Sequence, residues 1–244
     1  LILGTVWGSF LNVVAYRLLS GDSFFKIRSF CPHCHRTLEW YELVPLISWI
    51  FLQGKCRTCG ASISKLYPFI EFLSAASFSL LILQTPTDWW IGYSIFFSLL
   101  LISVRTDLQA MLISRWVTLC ALPIPFVLSF TTFLPLTPIQ SLIGCISAGF
   151  FLKMIQLSFK WYKGKEGLGQ GDIDLLMLIG AFTGFLGWWS TLFFGSVAGT
   201  LYACLLLLQK QSLLQRIPFG PFLAFGAALY VVYPRFAFLL FALT

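Results

Sequence analysis

Stretches of about 17 to 22 apolar residues recur along the whole chain, each long enough to cross a hydrocarbon core of about 30 Å as a helix. A chain in lipid must satisfy every backbone N–H and C=O internally, which leaves helices and closed barrels as the spanning structures. A membrane barrel would alternate apolar and polar residues in pieces of roughly ten. LILGTVWGSFLNVVAY at 1–16 is instead apolar on all sides. The expected fold is all-α: a polytopic integral membrane bundle. Its spans fall at about 2–18, 67–84, 89–104, 111–130, 139–158, 173–188, 190–208 and 219–241, about eight transmembrane helices. The third is short and the fifth contains Lys153, so six or seven crossings stay open. Turn residues separate the spans, in QTPTD at 84–88, LPLTP at 134–138, GKEGLGQG at 164–171 and RIPFGP at 216–221.

The charges test this division. Only 10% of residues are charged and 58% are hydrophobic, yet the formal net charge is +7. A nucleic-acid partner is excluded on pattern, because the bases are separated by lipid-length spans and form no basic domain. With eight crossings Arg17, Lys26, Arg28, Arg36, Lys55, Arg57, Lys65, Arg105, Arg115, Lys160, Lys163, Lys165, Lys210 and Arg216 all fall at one face, with Lys153 nearby and Arg235 toward the other. The positive-inside rule makes that face cytoplasmic and both termini external, in a multi-pass protein of the cytoplasmic membrane. Membrane lipid is the partner this charge distribution implies. The chain starts at Leu1 without an initiating Met, so a few preceding residues are expected.

Three segments follow: a first transmembrane helix at 1–18, a cytoplasmic cysteine-rich loop at 19–66, and a transmembrane core at 67–244. The loop carries CPHC at 31–34 and CRTC at 56–59, and each pair can offer two thiolates to one tetrahedral ion. Cys31, Cys34, Cys56 and Cys59 are therefore expected to hold a structural Zn²⁺ in a small knuckle, with a metal-free or redox-active loop as the alternative. A reducing cytoplasm argues against disulfides among them. His33 lies within the first pair and His35 follows it, and both are read as solvent-exposed, since four thiolates need no imidazole.

Nine acids are present, and three draw attention. Asp107, in SVRTDLQAMLIS, and Asp172, in GLGQGDIDLL, lie at the cytoplasmic edges of their spans at similar depth. An ionised Asp inside a bilayer costs about 2.5–3.5 kcal/mol even on insertion scales, so such residues face protein or water. Two that meet would share a proton, one activating a water while the other donates to a carbonyl oxygen or leaving amine. Each could equally be an ordinary helix cap. Gly169 and Gly171 favour the first reading, because they let a backbone approach closely and suit a site receiving an extended peptide. Glu71, just inside its span in YPFIEFL, is placed to cap, to pair with a base or to shape a polar cleft.

With these segments in order, the chain resembles the bacterial type IV prepilin peptidases, membrane aspartic proteases of the G-x-G-D type. The resemblance rests on GSFLNVVAYRL at 8–18, CPHC and CRTC, WYELVPLISWIFLQGKC at 40–56, YPFIEFL at 67–73, TDLQAMLIS at 106–114, GKEGLGQGDIDLL at 164–176 and IPFGPFLAFGA at 217–227. It implies that Asp107 and Asp172 are catalytic and that the core at 67–244 is the protease. The implied substrates are type IV prepilins and type II secretion pseudopilins, cut where a basic leader meets an apolar helix. It also implies methylation of the new amino terminus from S-adenosylmethionine, with the thiol-bearing loop and its zinc characteristic of such bifunctional members. Two departures stand out: Ser114 where Pro is common and Asp174 where Lys is common. Asp174 either adds negative charge beside Asp172 or points elsewhere, as helical i, i+2 spacing suggests. An intramembrane aspartic protease without methyl transfer, or a non-catalytic assembly or transport protein, are the competing readings.

Overall fold

The computed structural model describes residues 1–21, 29–164, 167–209 and 217–233. Among these residues the structure is helical, with no strand and two isolated bridges. The helices are α1 (Ile2–Ser20), α2 (Ile47–Phe51), α3 (Leu66–Gln84), α4 (Trp90–Ala110), α5 (Arg115–Ala121), α6 (Pro123–Leu128), α7 (Pro138–Lys163), α8 (Gln170–Leu208) and α9 (Gly220–Val232). Among the described residues, five helices are long and apolar enough to cross a membrane: α1, α3, α4 with its preceding turn, α7 and α8.

The departures from the expected spans have local causes. The span expected at 111–130 is two short helices, because Met111 caps α4 in a left-handed conformation at φ 52 and Pro123 opens α6. The spans expected at 173–188 and 190–208 run on as α8, whose 39 residues would reach about 58 Å if straight. That is about twice the hydrocarbon thickness. The break comes at Gly184, with φ 72 and ψ −171, a conformation that costs a residue with a Cβ. Of the span expected at 219–241, α9 covers Gly220–Val232, and positions 234–241 lie outside the described residues. So do Asp22, Lys26, Arg28, Lys165, Glu166, Lys210, Arg216 and Arg235.

The chain forms two compact units, Leu1–Leu80 and Leu81 onward. In the first, α1 packs antiparallel on α3 through small residues. A Cβ added at Gly4 would lie 2.7 Å from the Ala75 Cα, and one at Gly8 would lie 2.9 Å from the Glu71 Cα. Further along, the buried Asn12 amide donates to the Tyr67 carbonyl at 3.1 Å. Close backbone approach through glycines is how helices gain packing energy in lipid, where the hydrophobic effect no longer separates helix from solvent.

The second unit repeats the device. α7 and the first half of α8 meet at Gly144, Gly180 and Gly184, and the Ser141 hydroxyl donates to the Ala181 carbonyl at 2.7 Å. α9 lies antiparallel to the second half of α8, with Gly195 against Phe222 and Gly226 against Thr191. The first half of α8 is buried on every side at Ile173, Leu175, Leu176, Leu178, Ile179 and Phe182. One consequence is measurable. A Cβ at Gly144 would lie 2.8 Å from the Gly184 Cα, which is backbone and cannot yield, whereas one at Gly149 meets the flexible Met177 side chain at 2.7 Å. Gly144→Ala is expected to destabilise by about 1–3 kcal/mol and Gly149→Ala by less, read as thermal unfolding midpoints in detergent.

Candidate active site and candidate metal centre

α4 and the first half of α8 run antiparallel, and Phe96 packs on Phe182 with ring centroids 4.7 Å apart. Asp107 lies 11 residues further along α4, and Asp172 lies 10 residues back along α8. At about 1.5 Å per residue both acids stand about 15 Å from that aromatic contact, at the same end of the bundle. They are near enough for the charge of Asp107 to act on Asp172. The buried Asp107 accepts the Gly220 N–H at 2.9 Å, the free donor at the start of α9. Asp172 accepts the Gly169 N–H, which closes the start of α8. Each carboxylate therefore has a backbone donor from a different loop. Ile113 touches both sides: added Cβ atoms at Gly171 and Gly220 would lie 2.9 Å from its Cβ and 3.3 Å from its Cδ1. A Cβ on Gly169 would lie 3.0 Å from an Asp172 oxygen, so Gly169 lets the loop close in on the acid while Gly171 lets it close on Ile113.

Asp174 points away from this pair. Its buried carboxylate takes the Arg115 Nε–H at 2.8 Å and the Gln170 amide at 3.1 Å. Gln170 also meets Lys153 at 3.4 Å, and Lys153 bonds Gln156 at 2.8 Å. The Gln156 amide in turn donates to the Leu168 carbonyl at 2.9 Å, so one polar chain joins α5, α8, α7 and the glycine-rich loop. The pair is asymmetric, since the Arg115 side chain is 59% exposed and that of Asp174 only 3%. Removing Arg115 strands a buried charge; removing Asp174 returns Arg115 to a polar surface. Arg115→Ala is expected to cost on the order of 3 kcal/mol and Asp174→Asn about 1 kcal/mol or less, compared by thermal unfolding.

The cysteine loop folds as two copies of one turn. The Cys31 N–H bonds the Arg36 carbonyl and the His35 N–H bonds the Cys31 carbonyl, both at 2.9 Å. Twenty-five residues on, Cys56 and Ala61, then Gly60 and Cys56, make the same bonds at 2.8 and 2.9 Å. Bridges Phe30 to Thr37 and Lys55 to Ser62 close the two turns. His35, with φ 54, takes the left-handed place that Gly60 takes with φ 70, so its part here is conformational. Arg36 donates to both oxygens of the buried Glu42 at 2.6 and 2.7 Å. Burial opposes the Glu42 charge, but the Glu39 N–H and the guanidinium outweigh it and hold the carboxyl below its usual range.

Cys31, Cys34, Cys56 and Cys59 present sulfurs that all lie within 4.8 Å of one another, with 3.9 Å from Cys31 to Cys59 and 4.0 Å from Cys34 to Cys56. Tetrahedral zinc with bonds of about 2.3 Å would set its sulfurs about 3.8 Å apart, so the cluster could hold such an ion. Backbone N–H groups of Cys59 and Thr58 pull the Cys56 thiol down to about 6. At Cys59 the Ala61 N–H works in the same direction, but burial and the crowded sulfurs push it up to about 11.

Glu71 belongs to the first unit, where it accepts the Leu46 N–H at 2.8 Å and the Ser9 hydroxyl. Nothing in the sequence singled out Ile113, Gln170 or the pairing of Arg115 with Asp174. Gly220 alone carried a signal, since a glycine–proline pair marks a helix start, where the first N–H groups have no acceptor within the helix.

The class defined by this fold and these sites is a multi-span helical membrane protein with a carboxylate pair at one end of its core and a four-thiol module between α1 and α3. The bacterial peptidase A24 N-terminal domain matches residues 2–85, and the type IV leader peptidase family matches residues 94–204. A prepilin leader peptidase/N-methyltransferase of Dickeya chrysanthemi is 32% identical, over 95% of this chain and 90% of the relative. One from Stutzerimonas stutzeri is also 32% identical, over 92% and 86%. A type 4 prepilin-like proteins leader peptide-processing enzyme of Escherichia coli is 32% identical, over 91% and 88%. No solved structure matches the chain. The chain belongs to the type IV leader peptidase family.

Proposed function

We propose that the chain is a prepilin endopeptidase of the bacterial inner membrane that also methylates the amino terminus it creates. The observation that carries the reading is the convergence of Asp107 and Asp172, from helices distant in sequence, at one end of the core. One carboxylate, unprotonated, takes a proton from water as its oxygen adds to the scissile carbonyl. The other, protonated, hydrogen-bonds the carbonyl oxygen, and the C–N bond breaks as the departing nitrogen is protonated. Gly169 lets the loop approach Asp172 and Gly171 packs on Ile113, which holds the backbone close beside the acid. The carboxylate end and the cysteine module face the cytoplasm and the termini face outward, an orientation supported by the distribution of bases. A basic prepilin leader would then meet the acids while its apolar helix stays in lipid.

Zn²⁺ is the ion proposed for Cys31, Cys34, Cys56 and Cys59, on the sulfur spacing and the all-thiol donor set. Its part is to fold the 19–66 module, which has too little core to do so alone. S-adenosylmethionine would supply the methyl group, a reading supported by the names of the relatives, and no residue here is assigned to it. The test incubates detergent-solubilised protein with a purified prepilin and S-adenosylmethionine and follows leader removal and methylation by mass. Cleavage without methylation would favour the plain intramembrane protease. No cleavage of any prepilin would favour an assembly or transport role.

A further inference from the structure

The cysteine module presents an apolar face that neither the proteolytic site nor the thiol cluster uses. In α2, Ile47, Ile50 and Phe51 are 53%, 66% and 84% exposed. Their i, i+3, i+4 spacing puts them on one side of the turn. The other side is committed inward: the Trp49 indole N–H bonds the Ile63 carbonyl at 3.3 Å, and its ring packs against Gly54. Just before α2, Trp40 is 78% exposed.

What lies over this face follows from where α2 is tied. The residue preceding it, Leu46, is held in a left-handed conformation at φ 61, with its N–H given to Glu71 at 2.8 Å. Glu71 is the sixth residue of α3, so the anchor sits about 7.5 Å along that helix from its first residue. The start of α2 is thereby level with the second turn of a membrane-crossing helix and not raised above it. Phe69 and Phe72, on either side of Glu71 in sequence, are 48% and 63% exposed on α3. Between Glu42 and Glu71 the chain carries Lys55, Arg57 and Lys65 and no acid. Arg57 meets the Tyr41 hydroxyl at 2.7 Å, an aromatic and basic pairing suited to headgroup level.

We propose that α2 is an interfacial helix: Glu71 pins it at the depth of the headgroups, and Ile47, Ile50 and Phe51 enter the acyl chains of the leaflet in which α3 begins. The cysteine module then rides on the bilayer as well as between two spans. Its apolar face is a continuation of the lipid-facing surface of α3, and its bases match anionic headgroups.

The test places the photoreactive residue p-benzoylphenylalanine at Phe51, and separately at Ile50, in the full chain. The protein is reconstituted in vesicles of phosphatidylethanolamine and phosphatidylglycerol. A third protein carries the same residue at Phe72 as the reference for a lipid-facing site. After irradiation, phospholipid adducts at 51 and 50 are expected at yields within about twofold of that at 72, and unchanged by excess prepilin. Adducts to the chain itself, adducts that move to prepilin when it is added, or a yield of lipid adduct about tenfold below that at 72 would each overturn the proposal. All three positions are exposed, so folding is not at stake, and the readout does not depend on the enzyme cutting anything.

Discussion

Replacing either Asp107 or Asp172 by Asn is expected to stop leader removal while the protein stays folded. Asn has the shape of Asp and still offers an oxygen to the Gly220 N–H at position 107 or to the Gly169 N–H at position 172. Packing and the local hydrogen bonds therefore survive. What is lost is a group that can hold and release a proton, and with it one half of the acid–base pair. The initial rate should fall by about 10³-fold or more in each variant, the range in which positioned proton transfer operates. The double variant should be scarcely worse than either single one, because the two side chains act as a unit. Unfolding midpoints in detergent should stay near that of the parent. A variant with either substitution that keeps a tenth of the parent rate would show that the pair is not the catalyst.

The second large effect concerns the thiols. Cys31→Ser or Cys56→Ser removes one of four thiols whose sulfurs lie within 4.8 Å of one another. Structural zinc sites contribute about 10–16 kcal/mol of apparent binding energy at neutral pH, more than a small module can replace by packing. Metal content measured by mass spectrometry is expected to drop from one ion per chain to background in either variant. Methyl transfer is expected to be lost with it. Leader removal should persist, because Asp107, Asp172, Gly169 and Gly220 all belong to the unit that begins at Leu81. Stripping the parent protein with a strong chelator should reproduce the pattern. Normal methylation by metal-free protein would refute the role given to the loop.

Legibility in the sequence followed the reach of each constraint. The spans that became α1, α3, α4 and α7 were readable because lipid thickness fixes their length, and the knuckles because two thiols at C-x-x-C spacing suit one ion. The turns themselves were not: the 25-residue correspondence that sets His35 against Gly60 shows only in backbone conformation. Asp174 is the plainest case of two readings left open. Its spacing from Asp172 allowed extra charge at the pair or a partner elsewhere, and the structure gives it Arg115, 59 residues away.

What the chain determined unaided was therefore local or periodic: apolar length, thiol spacing, acids set where lipid makes charge expensive. Tertiary structure decided what has no period. It joined Asp107 to Gly220 across 113 residues, moved the break in α8 to Gly184, and tied α2 to Glu71. The physical reason is the same in each case. A buried polar group must find its partner wherever packing brings one, and helices approach closely where a glycine happens to face a partner's backbone, so neither choice is written in the residues on either side.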